Sequence, residues 1–234
     1  MTASHIARNL SEVRQQIDTC CAQYQRNSAD VTLLAVSKTK PAELLKEAYD
    51  AGQRDFGENY LQESLDKQQE LADLDIIWHF IGPIQSNKTR AIAENFHWVH
   101  SVDRLKVARR LSEQRPTELP PLNICLQVNI SAEESKSGIT IDELPELARE
   151  VAALPNLTLR GLMAIPAPAD TLEAQREPLA ALRQALEAIK DEHPQLDTLS
   201  MGMSGDLEAA IAEGSTMVRI GTAIFGARDY SKQA

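Results

Sequence analysis

Residues 31–41 read Val31-Thr32-Leu33-Leu34-Ala35-Val36-Ser37-Lys38-Thr39-Lys40-Pro41, and their reading decides the fold. The first six residues are apolar or β-branched without a polar alternation, which is the pattern of a strand buried on both faces. Pro41 opens a helix that runs to about Ala51, and Gly52 stops it. The unit is therefore strand, short polar turn, helix. It recurs along the chain. Asp55-Phe56 is followed by a helix from about Tyr60, and residues 76–81 by Gly82-Pro83 and a helix from about Asn87. Residues 98–100 precede a helix from Asp103, which reads as its N-cap. Residues 123–130 lead to a helix near Asp142, and residues 158–163 to a Pro/Ala loop and a long helix ending at about Glu192. Residues 198–200 precede a helix from Gly205, and residues 217–220 precede a last helical turn at Gly221-Thr222.

That makes about eight βα units, and alternation of this kind builds a parallel sheet with helices outside. Ahead of them, Ile6, Leu10, Val13, Ile17 and Tyr24 recur at helical spacing. The expected architecture is α/β: a single (β/α)8 TIM-type barrel over residues 1–234 with an extra N-terminal helix. An open doubly wound sheet is the alternative.

The charge balance narrows the partners. With 24 Lys+Arg against 34 Asp+Glu the net charge is −10, which excludes a general grip on nucleic acid but not a small basic pocket for one phosphorylated ligand. Cys20, Cys21 and Cys125 are odd in number and lack a C-x-x-C, so they make neither a disulfide framework nor a zinc site. They read as thiols in a reducing compartment. No run approaches the ~18 apolar residues of a membrane span. The N-terminus has no apolar signal segment, and a cytoplasmic location is expected. A closed barrel with polar outer helices is compatible with a monomer.

Barrels of this kind carry their chemistry at the C-terminal ends of the strands, with phosphate sites after strands seven and eight. After the seventh expected strand the chain reads Met201-Gly202-Met203-Ser204-Gly205-Asp206, with Ser204 as the expected N-cap. After the eighth it reads Gly221-Thr222-Ala223. Two adjacent helix starts rich in Ser, Gly and Thr form either a phosphate cradle or two ordinary capped turns. Arg219 stands among apolar neighbours, so it meets either a buried carboxylate or a ligand. Leu34, Val36 and Lys38 share strand parity, which carries Lys38 up from the barrel interior. A lysine so placed is either solvated at the strand end or partly desolvated near other cations. In the second case its pKa falls and its neutral amine can attack an aldehyde to form a Schiff base. Pyridoxal 5′-phosphate (PLP) offers an aldehyde for Lys38, a phosphate for the cradle and a ring nitrogen for Arg219.

Other motifs carry less. Residues 82–89, GPIQSNKT, miss a P-loop by one residue, and Pro83 fits phosphate wrapping poorly. His97 and His100 face opposite sides of a strand, and His79 and His193 stand alone, so no metal site is expected. Ser135-Lys136-Ser137-Gly138 is a polar loop facing either ligand or solvent. Asn59 either reaches a ligand or caps a helix.

The segments LLAVSKTKP, FGENY, WHFIGPIQSNK, SKSGI, RGLMAI, LSMGMS and STMVRIGTAIFG, in this order, resemble the pyridoxal phosphate homeostasis protein family, whose members are similar to the N-terminal barrel of alanine racemase. The resemblance covers almost the whole chain. It implies that Lys38 is the Schiff-base lysine, that Ser204, Gly221 and Thr222 hold the phosphate, and that Arg219 faces the pyridine nitrogen. Asn59 and Met203 would line the site. It further implies a carrier or buffer of PLP that serves vitamin B6 and amino-acid homeostasis rather than an ordinary enzyme, with apo PLP-enzymes as recipients. Racemases of this type carry a second β domain and use a base from a partner chain, and no room for that domain is expected after the last βα unit. A slow amino-acid racemase is the alternative, and a sugar-phosphate barrel without PLP is the third reading.

Overall fold

The computed structural model describes residues 5–131, 133 and 137–227. Helix α1 (His5–Gln23) comes first, and eight strands follow: β1 (Thr32–Val36), β2 (Asp55–Glu58), β3 (Ile77–Phe80), β4 (Trp98–Val102), β5 (Leu122–Gln127), β6 (Leu157–Met163), β7 (Thr198–Ser200) and β8 (Met217–Ile220). Between them lie α2 (Ala42–Asp50), α3 (Leu61–Glu70), α4 (Thr89–Asn95), α5 (Leu105–Gln114), α6 (Leu144–Ala152), α7 (Leu172–Ile189) and α8 (Leu207–Ala212), and α9 (Thr222–Phe225) follows β8. The strands pair in chain order, all parallel, and β8 returns to β1, which closes the barrel. The closed (β/α)8 barrel with α1 in front is the expected architecture, and the open sheet is excluded.

The core lies between sheet and helices. In α1 the buried residues are Ile6, Leu10, Val13, Ile17 and Cys21, one stripe at three- and four-residue spacing, and this stripe packs against α2, α8 and α9. One strand pair depends on a single glycine. A Cβ at Gly161 would lie 1.7 Å from the Thr198 carbonyl oxygen, so β6 and β7 approach closely only without a side chain there.

The helix starts differ locally from expectation. Arg104, not Asp103, is the N-cap of α5, and the Asp103 carboxylate instead accepts the Gly138 N–H at 3.0 Å. Met203, not Ser204, caps the turn before α8, where the Asp206 carboxylate accepts the Met203 N–H at 2.7 Å. In the first case the expected carboxylate accepts from a distant loop instead of its own helix, and in the second a carboxylate takes the acceptor role expected of the Ser204 hydroxyl.

Candidate functional site

Strands β1 and β8 bring the expected residues together. Leu34 is in register with Arg219, and Ala35 with Ile220, so Lys38 and Gly221 leave neighbouring strands at the same rim. The rim is tight: a Cβ at Gly221 would sit 3.1 Å from the Val36 carbonyl oxygen. Lys38 occupies the turn just past β1 and is half-buried, and the following Thr39 holds the left-handed conformation at φ 66°. That turn directs Lys40 away, and its ammonium donates to the Ala227 carbonyl at 2.8 Å.

On the other side of β8, the Arg219 N–H donates to the Gly202 carbonyl at 2.9 Å, joining the two glycine-bearing turns. Gly202 adopts φ +107°, and a Cβ there would lie 2.5 Å from Ala210 Cβ. Met203 and Ser204 follow and are exposed, as is Thr222, while Gly221 is half-buried. The helical turns Ser204–Asp206 and Thr222–Phe225 begin just past β7 and β8. The Asp206 N–H already bonds the Met203 carbonyl and the Ile224 N–H the Gly221 carbonyl, so only the amides ahead of them in each turn lack an acceptor within it. This arrangement fits a phosphate.

Asn59 follows β2. It is not a helix cap, because Tyr60 occupies that position before α3. Among the described residues its Oδ1 is buried without a hydrogen-bond partner, and it borders a cavity of about 570 Å3 together with Ser101, Asp103, Gln127, Asn129 and Ser137. Ser135 and Lys136 lie outside the described residues.

Arg219 is buried, 5% exposed, and its partners are neutral: NH1 donates to Ser200 Oγ at 2.7 Å and NH2 to the Ala164 carbonyl at 3.0 Å. Among the described residues no carboxylate lies within ion-pair distance of it, so the buried-ion-pair alternative fails. Burial lowers its pKa to about 10, with Asp206 opposing the shift, and at neutral pH it stays a cation. A desolvated guanidinium at the mouth of a barrel is suited to an unprotonated ring nitrogen or another neutral acceptor.

Two groups escaped the sequence reading. The first lies beneath the Lys38 turn. Lys67 on α3 donates to Glu58 Oε1 and to the Ser37 carbonyl, each at 2.7 Å, and lies 3.1 Å from Glu63. Glu58 is fully buried, and desolvation outweighs the Lys67 cation, so its pKa rises to about 7.

The second group crosses the lumen. His79 does not stand alone: its Nε2 lies 2.9 Å from Asp55 Oδ1, and its Nδ1 lies 2.9 Å from His100 Nε2. His100 Nδ1 in turn lies 2.8 Å from Ser200 Oγ. Strands β4 and β7 are not neighbours, so the last contact runs through the barrel interior, which in such folds is usually filled by branched aliphatic side chains. A signal was present in the sequence: His79 and His100 stand beside large apolar residues in short strands, much as Arg219 does in β8, whereas Ser200 lies in a strand with only one apolar residue and gave none. Among the described residues no cluster suited to a metal ion occurs.

Residues 4–229 match the family model described as "Alanine racemase, N-terminal domain". The chain is 64% identical to the pyridoxal phosphate homeostasis protein of Pseudomonas aeruginosa, over 99% of each chain. It is 59% identical to the protein of that name from Escherichia coli K12, over 97% of this chain and 99% of the other. Among solved structures, PipY of Synechococcus elongatus with PLP bound superposes with a TM-score of 0.83 at 38% identity, covering 95% of this chain and 100% of PipY. Alanine racemase from Corynebacterium glutamicum shares the fold, with a TM-score of 0.70 at 19% identity over 95% of this chain and 60% of that one.

Proposed function

This chain belongs to the pyridoxal phosphate homeostasis protein family, and on that premise we propose that it binds PLP at the β1–β8 rim and carries or buffers it as a Schiff base on Lys38. The observation that carries the reading is the buried Arg219, which has only neutral partners and stands on the strand beside the one that delivers Lys38. PLP supplies an electrophilic carbonyl and a conjugated ring able to delocalise electrons.

The residues divide the work. The Lys38 amine provides the point of attachment. Ser204, Gly221 and Thr222 hold the phosphate with hydroxyls and first-turn amides. Arg219 donates to the ring nitrogen and opposes its protonation, which weakens the ring as an electron sink. Asn59 and Met203 border the ring. A weaker electron sink stabilises a carbanion less, which favours a carrier over an enzyme. Apo PLP-enzymes are the proposed recipients, and vitamin B6 and amino-acid balance the proposed setting.

The deciding experiment combines a spectrum with a trap. Addition of PLP produces a visible band, and borohydride reduction followed by digestion places the pyridoxyl mass on Lys38. A tag on another residue, or undiminished attachment in Lys38→Ala, rejects the assignment. Incubation of loaded protein with single-enantiomer amino acids in deuterated water leaves Cα unlabelled for a carrier. Label uptake with loss of chirality identifies a racemase.

A further inference from the structure

The interior chain from Asp55 to Arg219 has a direction that its two ends fix. A guanidinium only donates, and an ionised carboxylate only accepts. Arg219 therefore donates to Ser200 Oγ. At the far end Asp55 Oδ1 accepts from His79 Nε2–H. His79 Nδ1, left without a proton in the neutral ring, accepts from His100 Nε2–H. His100 Nδ1 then accepts from the Ser200 hydroxyl. Every link points the same way, with both imidazoles neutral and in the Nε2–H tautomer.

The reverse direction is worse at both ends. Ser200 Oγ would have to accept from Arg219 and His100 together, and His79 would turn a bare nitrogen lone pair toward a carboxylate. Burial favours the neutral form of both rings and makes the one-way arrangement self-consistent. Ring packing holds it in place: His79 stacks on Trp98 at 5.4 Å and 16°, and Arg160 covers Trp98 at 4.6 Å.

We propose that Asp55 is the remote counter-ion of Arg219, and that His79, His100 and Ser200 are positioning residues that connect the two across the barrel. Asp55 is the first residue of β2, on the opposite face from the PLP rim, with its side chain 22% exposed beside a hollow that Arg14 and Asp18 of α1 and Arg54 also border. His97, exposed before β4, is the other titratable ring near His79. Cys125 and Asp206 are the titratable neighbours of Arg219. The barrel thus carries a polar connection from one face to the guanidinium at the other.

The direction is tested without ligand. In the full chain labelled with 15N at its five histidines, imidazole spectra near neutral pH are expected to show His79 and His100 as neutral Nε2–H rings. A neutral Nδ1–H ring or an imidazolium at either position overturns the proposal. Transmission is tested on PLP-loaded protein and rests on the function proposed above. Asp55→Asn keeps an acceptor and removes the charge, whereas Asp55→Ala removes both. Loss of the anion disfavours the protonated, more cationic form of the bound chromophore. Both variants should therefore lower the pH midpoint of the visible band by on the order of half a unit, and Asp55→Ala should also mix the tautomers of His79. An unchanged midpoint in folded Asp55→Asn rejects the connection while leaving PLP binding intact. If the parent shows no PLP band, the PLP reading fails, and the histidine spectra still decide the direction of the chain.

Discussion

The Lys67 ammonium and the Ser37 carbonyl meet at 2.7 Å, so a cation on α3 holds the peptide immediately before Lys38. The same ammonium faces Glu58, and both charged groups are almost wholly removed from water. A buried pair of this kind adds little net stability, but removing one partner strands the other. Its consequence here is local: the turn that presents Lys38 is fastened to α3 rather than left as a free strand end.

Lys67→Met strands the Glu58 carboxylate and leaves the Ser37 carbonyl with its turn bond from the Lys40 N–H. It is expected to destabilise the fold by about 3–5 kcal/mol near pH 8 and by less near pH 5.5, where Glu58 takes up a proton. Urea denaturation at the two pH values measures the difference. An equal loss at both would show that the ion pair is not the source.

Glu58 itself gives a pH dependence of unusual sign for a carboxylate. The folded protein keeps its proton up to about pH 7, whereas the ordinary value is 4.5. The folded state therefore binds more protons than the unfolded chain across that window. Its contribution is fully favourable below about 4.5, declines as pH rises to about 7, and levels off above. Glu58→Gln should flatten this decline in denaturation curves collected from pH 5 to 8. A slope identical to the parent's would rule out Glu58 as its cause.

Gly161→Ala places a methyl group against the Thr198 carbonyl across the β6–β7 pair. The strands must separate, and a loss of about 3 kcal/mol or more is expected, enough to lower the thermal midpoint by several degrees. Calorimetry reads it directly. A parent-like midpoint would mean that this part of the barrel yields without cost.

Arg219→Met removes the guanidinium while keeping most of the apolar stem. If the proposed site is right, losing its charged hydrogen bond to the ring is expected to weaken PLP binding about tenfold or more, because such bonds contribute ~1.5–3 kcal/mol. Spectrophotometric titration of both proteins with PLP provides the comparison, and equal affinities would dismiss Arg219 from the site.

Much of this protein was legible one segment at a time. Apolar runs such as 31–36, punctuated by Pro41 and Gly52, are local signals, and closure into a barrel follows from repeating them. Lys38 was visible because parity along a strand fixes which face a side chain takes, and Arg219 because a charged residue among apolar neighbours needs a partner. Helix caps were less legible, since Asp103 and Asp206 found acceptor roles through turn geometry that residue type alone does not encode.

Some contacts were decided only in three dimensions. His100 and Ser200 are 100 residues apart and meet because ring closure places their strands across one lumen. The Lys67 ammonium reaches the Ser37 carbonyl, 30 residues away in sequence, only once α3 lies against the β1 rim. Local periodicity dictates which face of an element is buried, but the partner that a buried polar atom finds depends on how the closed sheet brings distant strands together.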